Sequence, residues 1–273
     1  MDDGGRATAP KAATAARMYD YFLGGIHNFP ADQEAGRQIV ERFPFVPALA
    51  RANRAFLGRA VRYLVGAGVR QFLDVGSGIP TAGNVHQIAQ ALAPECRVVY
   101  VDIDPVAVSE SLEILAGNDR ATAILGDLSG PQPLLEHPTV RRALDLDAPV
   151  GLLLVAVLHF VPDDTLAYRA AADLVAAAPP GSYLVASHTA TETFHPMAEL
   201  AGPGEDVYKR QTATPGTVRT RAEVERFFTG LELVDPGVTW VHEWRPDPGE
   251  PAPAADTPFG GGVWCGVGRK PQR

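Results

Sequence analysis

The stretch "PVGLLLVAVLHF", residues 149–160, is almost uninterruptedly apolar. It is far shorter than the ~20 apolar residues that a membrane-crossing helix needs. A strand with one wet face would alternate polar and apolar side chains, whereas a parallel strand covered by helices on both faces reads as one continuous apolar run. This segment therefore predicts the central strand of an α/β sandwich.

The segments around it alternate in the way such a sandwich requires. "QFLDV", 71–75, ends against Gly76 as a buried strand. A helical pattern through Val85, Ile88, Ala89 and Leu92 follows, read as starting near Pro80 or Thr81. "RVVYVDID", 97–104, is rich in β-branched and aromatic residues and precedes an Asp104–Pro105 helix start. "ATAIL", 121–125, is a weaker strand. After the central run, Leu166, Ala170, Leu174 and Ala177 mark a helix that stops at Pro179-Pro180-Gly181, and "SYLVASH", 182–188, is a further strand. Thr220 and Glu223 form a candidate capping box. "LELV", "VTWVHEW" and "GGVWCGVG" close the chain, the last two joined by a long Pro-rich loop without a helix, which predicts an antiparallel hairpin. Ahead of the sheet, three helical patterns, around Met18–Phe22, Ala35–Phe43 and Phe56–Leu64, divide the chain into a helical extension and lid at 1–68 and a sheet domain at 69–273.

In open sheets of this kind, ligands bind beyond the C-terminal ends of the strands. Gly76, Asp102, Asp127, His159 and His188 all fall there. In "DVGSGIPTAG" the glycines at 76 and 78 allow a tight turn and close ligand approach. A dinucleotide fingerprint needs a third glycine at position 81, where Thr81 stands, so a nicotinamide cofactor is disfavoured. A structural turn remains an equal reading of the glycine pair alone. Asp102, 26 residues beyond Gly76, is placed to accept the ribose hydroxyls of an adenosine ligand. Asp127 is either the acceptor for an adenine amino group, with Leu128 packing on the ring, or a plain turn residue.

Together, "RMYDYFLGGIHNFPAD", "FLDVGSGIPTAGNVH", "VVYVDIDP", "LLLVAVLHFVPD" and "GSYLVASH" resemble an actinobacterial group of S-adenosylmethionine-dependent methyltransferases once classed only as a domain of unknown function. The likeness runs from about Arg17 to Gly268. It implies the class I methyltransferase fold, a Rossmann-like, mostly parallel sheet of seven strands with the last one antiparallel and helices on both faces. It also implies S-adenosyl-L-methionine as the cofactor. On this resemblance Asp74, Gly76 and Gly78, with Thr81 beside them, hold the methionine end, Asp102 the ribose, and Asp127 with Leu128 the adenine. Pro80 departs from the glycine of most class I enzymes but matches this narrower group.

Methyl transfer is an in-line displacement that depends mainly on positioning and exclusion of water. His159, at the end of the central strand, is the candidate general base for a hydroxyl or amine acceptor, or else a residue that hydrogen-bonds the rim. His27 and Tyr21, in a polar and aromatic helical turn that also holds Tyr19, are the other catalytic candidates, on a lid over the cofactor. His188 is the more structural histidine. Residues 188–220 lie where a substrate-binding insertion is expected.

The acidic balance, 32 Asp and Glu against 24 Lys and Arg, and the lack of a basic run argue against a nucleic-acid partner. No metal-ligand spacing is present, and Cys96 and Cys265 read as buried free thiols. A cytoplasmic enzyme acting on a small-molecule acceptor, monomeric or homodimeric, is the leading expectation. A noncatalytic binder of the same cofactor and an NAD-dependent oxidoreductase are the alternatives.

Overall fold

The computed structural model describes residues 13–80, 83–130, 133–192, 216–249 and 262–272. Thr81, most of the expected insertion at 188–220 and most of the Pro-rich loop lie outside these residues.

Three helices come first: α1 (Ala15–Phe22), α2 (Pro30–Arg42) and α3 (Val46–Gly66). The sheet then forms from β1 (Gln71–Val75), β2 (Arg97–Asp102), β3 (Ala121–Leu125), β4 (Gly151–Val155) and β5 (Tyr183–Thr189), all parallel. Helices α4 (Val85–Leu92), α5 (Pro105–Ile114), α6 (Pro138–Ala143) and α7 (Asp164–Ala177) make the crossovers. Strand β8 (Val263–Arg269) runs antiparallel to β5. Its other edge is shared by two short strands, β6 (Glu232–Leu233) and β7 (Thr239–Trp240), both antiparallel to it. The order β3-β2-β1-β4-β5-β8-β6 gives eight strands in seven positions, because the outermost position is split in two. The expected terminal hairpin is the β7–β8 pair.

The two-residue period of a strand sorts the core. Leu73, Val75, Val99, Val101, Leu152 and Leu154 face α6 and α7. Phe72, Val98, Tyr100, Leu153 and Val185 face α3 and α4. Phe56, Leu57, Ala60, Val61 and Leu64 of α3 enter that second core directly, so the third helix is a layer of the sandwich. Each such large side chain, at 0–4 % exposure, contributes roughly 1.5–3 kcal/mol from burial.

Two elements depart from expectation at the ligand-binding rim. The helix after the glycines begins at Val85, not at Pro80 or Thr81. Gly83 is left-handed at φ +60° and Asn84 caps the helix with Gln87, so the glycine loop is longer than the sequence pattern implied. The apolar run at 149–160 is a strand only to Val155. Ala156 takes φ +57°, and a 3-10 turn at Leu158–Phe160 follows. His159 is thus carried on a turn beyond the strand end.

Helices α1 and α2 sit over this rim, held by a buried arginine. Arg17, 2 % exposed, donates from Nε to Asp32 (2.8 Å) and from Nη1 to Asp104 (3.0 Å). Asp32 also accepts from the backbone N–H groups of Thr14 and Phe29, and Thr14 Oγ1 donates to Asp104. No described helix is long and apolar enough to cross a membrane. Removing one partner of a buried ion pair strands the other charge at a cost of about 3–5 kcal/mol. Asp32→Ala is therefore expected to lower unfolding free energy by about that amount in a urea titration. A loss below about 1 kcal/mol, the ceiling for an exposed pair, would contradict the role given to Arg17.

Candidate active site

A cavity of about 760 Å³ lies at the C-terminal ends of β1 to β5, roofed by α1, α2 and the start of α3. That is within the ~300–1,000 Å³ range of sites that bury small ligands. Asp74, Gly76, Gly78, Asp102, Asp127, Leu128 and His159 all line it, so the sheet gathers most of the residues singled out from sequence.

The glycine loop is shaped by two left-handed residues. Gly76 has φ +68°, and a Cβ there would meet Val157 Cγ2 at 2.2 Å; Gly78 has φ +62° and passes close beneath Ala16 of α1. Both conformations are open to glycine and costly for other residues. The loop is tied to β2 because the Gly78 N–H donates to Asp102 Oδ2 (2.7 Å), while Asp102 Oδ1 accepts from the Asp104 N–H (2.9 Å). Asp102 is held in one orientation, and burial pushes its carboxyl above the usual range against the pull of these backbone donors. Asp104 caps α5 through Val106 N–H, as its place before Pro105 implied. Asp127 is exposed, and its Oδ1 closes a local turn by accepting from the backbone N–H and hydroxyl of Ser129. The turn role and a place on the cavity wall coexist there. Ile103, 65 % exposed, adds an apolar face between the two acids that sequence reading had not marked.

Asp74 differs from Asp102 in having no hydrogen-bond partner among the described residues, although it is 5 % exposed. Burial pushes its carboxyl up to about 7; Arg54 opposes this and Asp102 adds to it. Arg54, on α3, also lines the cavity. Its Nε is buried without a hydrogen-bond partner, and its guanidinium lies 5.9 Å from the centre of the Tyr19 ring. It is half-buried, one turn from the buried Ala50 and Leu57 on the same face of α3, and an arginine at that spacing in an apolar helical stripe is the one sequence signal that could have found it. Its neighbour Asn53 bridges elements: Ser187 Oγ donates to Asn53 Oδ1 (2.7 Å), and Asn53 Nδ2 donates to Tyr19 Oη (3.1 Å). Ser187 Oγ also accepts from the Ala156 N–H (2.9 Å), which holds the left-handed bend after β4.

His159 is 5 % exposed, and its Nδ1 is buried without a hydrogen-bond partner. Burial, His188 and Arg219 push it well below the ordinary histidine value, so its imidazole is neutral at physiological pH. Arg219, also missed from sequence, grips the turn that carries it. Its guanidinium donates to Leu158 O, Val161 O and Asp164 Oδ1, and Nη1 meets His188 Nε2 at 2.6 Å. Because Nε2 accepts from arginine, His188 carries its proton on Nδ1, which donates to Thr189 O (2.8 Å). His188 is thus a structural partner of Arg219, pushed down to about 4 by burial.

His27 and Tyr21 are not part of the cavity wall. The connector after α1 folds around the buried carboxylate of Asp20, which accepts from the His27 N–H and Asn28 Nδ2. The His27 ring instead meets Glu110 of α5 at 2.8 Å. Tyr21 packs into the notch left by Gly36 of α2, where a Cβ would lie 2.5 Å from its ring. The polar and aromatic residues of this turn join helices; the wall over the cavity comes from Met18, Tyr19 and Phe22 on another side of α1. Among the described residues, no group of three or more His, Cys, Asp or Glu is placed to hold a metal ion.

Comparison with known proteins runs in the same direction. Residues 5–271 match the model of a family described as S-adenosyl methyltransferase. No curated protein matches. Among solved structures, a protein of Thermobifida fusca YX that carries a methyltransferase designation is 36 % identical, with 96 % of each chain covered and a TM-score of 0.87. A DUF574 family protein from Streptomyces avermitilis MA-4680 is 42 % identical over 95 % of this chain and 98 % of its own, with a TM-score of 0.85. With a match over nearly its whole length, the chain belongs to the S-adenosyl methyltransferase family, enzymes whose methyl donor is S-adenosyl-L-methionine.

Proposed function

We propose that the cavity divides into a cofactor half over β1–β3 and an acceptor half over β4, β5 and β8, and that the enzyme methylates a small molecule held in the second. The observation that carries the first assignment is the pairing of Asp74 and Arg54, opposite charges on one wall with no hydrogen bond to a described residue. An α-amino acid end needs this pair: a carboxylate for its ammonium and a guanidinium for its carboxylate. Asp102 takes the ribose hydroxyls, held in register by the Gly78 and Asp104 N–H groups. Ile103 and Leu128 cover the base, and Asp127 faces its exocyclic amine. Thr81 lies outside the described residues, and its part in the loop remains a proposal from sequence.

When bound, the cofactor supplies an electrophilic methyl on a sulfonium. The chain's own work is to hold, orient and exclude water. The roof of α1 and α2, tied down by Arg17, acts as the lid. His159, neutral and fixed by the Arg219 turn, orients the acceptor at the centre of the rim as the candidate catalytic residue.

Three measurements test this reading. Charge-assisted hydrogen bonds are worth about 1.5–3 kcal/mol, so Asp102→Ala is expected to weaken S-adenosylhomocysteine by roughly 10- to 100-fold in calorimetry. Arg54→Gln should weaken S-adenosylhomocysteine comparably yet leave adenosine unaffected; equal losses for both ligands would remove Arg54 from the amino-acid end.

The second concerns protons. Asp74 has its folded-state pKa raised from 3.8 to about 7, so it favours folding below the lower value and loses that contribution as pH rises through the higher one. Without ligand, Asp74→Asn should therefore gain stability relative to the parent on going from about pH 5 to about pH 8. An ammonium partner favours the ionised carboxyl, so S-adenosylhomocysteine should bind more tightly across the same interval and release a proton. Affinity that falls with rising pH would reverse the assignment.

The third is transfer of labelled methyl from the cofactor to a small-molecule fraction of a cell extract. His159→Ala should slow that transfer while leaving cofactor affinity within about 2-fold, less than 0.5 kcal/mol. Undiminished transfer would take His159 off the list.

A further inference from the structure

One stretch of the cavity floor is held against its own backbone preference. β4 is the strand between β1 and β5, so a methyl passed from the cofactor half to the acceptor half crosses its end. Val155, Ala156 and Val157 form that end, and all three line the cavity. Ala156 is left-handed at φ +57°. A residue with a side chain is strained there, and such strain persists only where the surrounding structure enforces it.

The enforcing groups are a chain of three polar side chains whose directions can be worked out from one end. Tyr19 Oη donates its proton to Ala50 O (3.0 Å), so toward Asn53 it can only accept, and Asn53 Nδ2 faces it at 3.1 Å. Asn53 Oδ1 is thereby turned to Ser187, whose hydroxyl donates to it at 2.7 Å. With its proton committed, Ser187 Oγ presents a lone pair to the Ala156 N–H at 2.9 Å. Asn53 and Ser187 are both buried, and Ser187 is the register partner of Val155, one residue before the bend. Past the bend, the Val157 side chain fills the place that a Cβ on Gly76 would need. The flanks have ties of their own. The N–H groups of Gly76 and Ser77 go to Val101 O and that of Gly78 to Asp102, while Arg219 holds Leu158 O and Val161 O. The Ser187–Asn53 pair therefore sets the course of the residues between these two anchored flanks. We propose that Ser187 and Asn53 are positioning residues for methyl transfer: through the bend at Ala156 they fix where the methyl stands between cofactor and acceptor. This inference rests on the cofactor occupying the β1–β3 half.

The test is calorimetry on the full chain with S-adenosyl-L-methionine and S-adenosylhomocysteine, two ligands that differ by the methyl and its positive charge. Whether a released bend opens the space over β4 or intrudes on it, the methylated ligand is disturbed more. Ser187→Ala is expected to weaken S-adenosyl-L-methionine at least ~5-fold more than S-adenosylhomocysteine, a difference of about 1 kcal/mol. Asn53→Ala keeps the Ser187 hydroxyl but frees its rotation, and should move the ratio the same way by a smaller factor; its missing side chain opens onto the cavity, so it also serves if Ser187→Ala does not fold. Adding Ala156→Gly to either variant should recover most of the loss, because glycine holds a left-handed backbone without strain. A side chain that only contributes to stability would weaken both ligands alike and gain nothing from that glycine. Equal losses for the two ligands, an unchanged ratio in both variants, or no recovery with Ala156→Gly would overturn the proposal. The parent protein separates the two levels. Binding of neither ligand removes the cofactor reading and this inference with it, whereas parental binding of both with a ratio that the variants keep removes this inference alone.

Discussion

Arg17 sets the relation between the helical roof and the sheet. A guanidinium 2 % exposed is tolerable only with its charge matched, and Asp32 and Asp104 match it from α2 and from the cap of α5. Asp104 in turn gives its backbone N–H to Asp102, which holds the Gly78 N–H. One chain of contacts therefore runs from the roof through the β2 end to the glycine loop. The roof cannot shift far without disturbing the acid proposed to take the ribose.

Around that chain the cavity is electrostatically uneven. Acids collect where β1, β2 and β3 end, and apolar side chains collect where α2 and α3 approach β5 and β8. The unevenness follows from topology: the first three strand ends are followed by loops and caps rich in Asp and Gly, while the second side is closed by helix faces that must stay apolar to pack. Asp74 marks the boundary. It sits on the same sheet face as Phe72 and Tyr100, yet ends in the cavity without a hydrogen bond to a described residue.

Much of the sheet was legible because strand and helix periods differ and because Asp104–Pro105 and Thr220–Glu223 are local signals that need no tertiary context. The rim acids were legible for the same reason, since strand ends locate them. What sequence misplaced depended on tertiary geometry. The central strand was expected to run through 149–160, but the left-handed Ala156, held by Ser187 from a neighbouring strand, follows its end at Val155, and His159 lies on the turn beyond. His27 and Tyr21 carry chemically capable groups, yet Asp20 and Gly36 draw them into helix packing. Arg54, Arg219 and Arg17 were passed over because a lone arginine reads as surface until its burial is known. The family resemblance survived because it rested on several segments in order, not on the glycine pair.

A crystal structure with S-adenosylhomocysteine tests the division of the cavity most directly. The account predicts the ribose hydroxyls on Asp102, the amino group on Asp74 and the carboxylate on Arg54, with the space beside Phe43 and Val263 left open. A nucleoside lodged against Phe43, or an amino-acid end that avoids both Asp74 and Arg54, would contradict it.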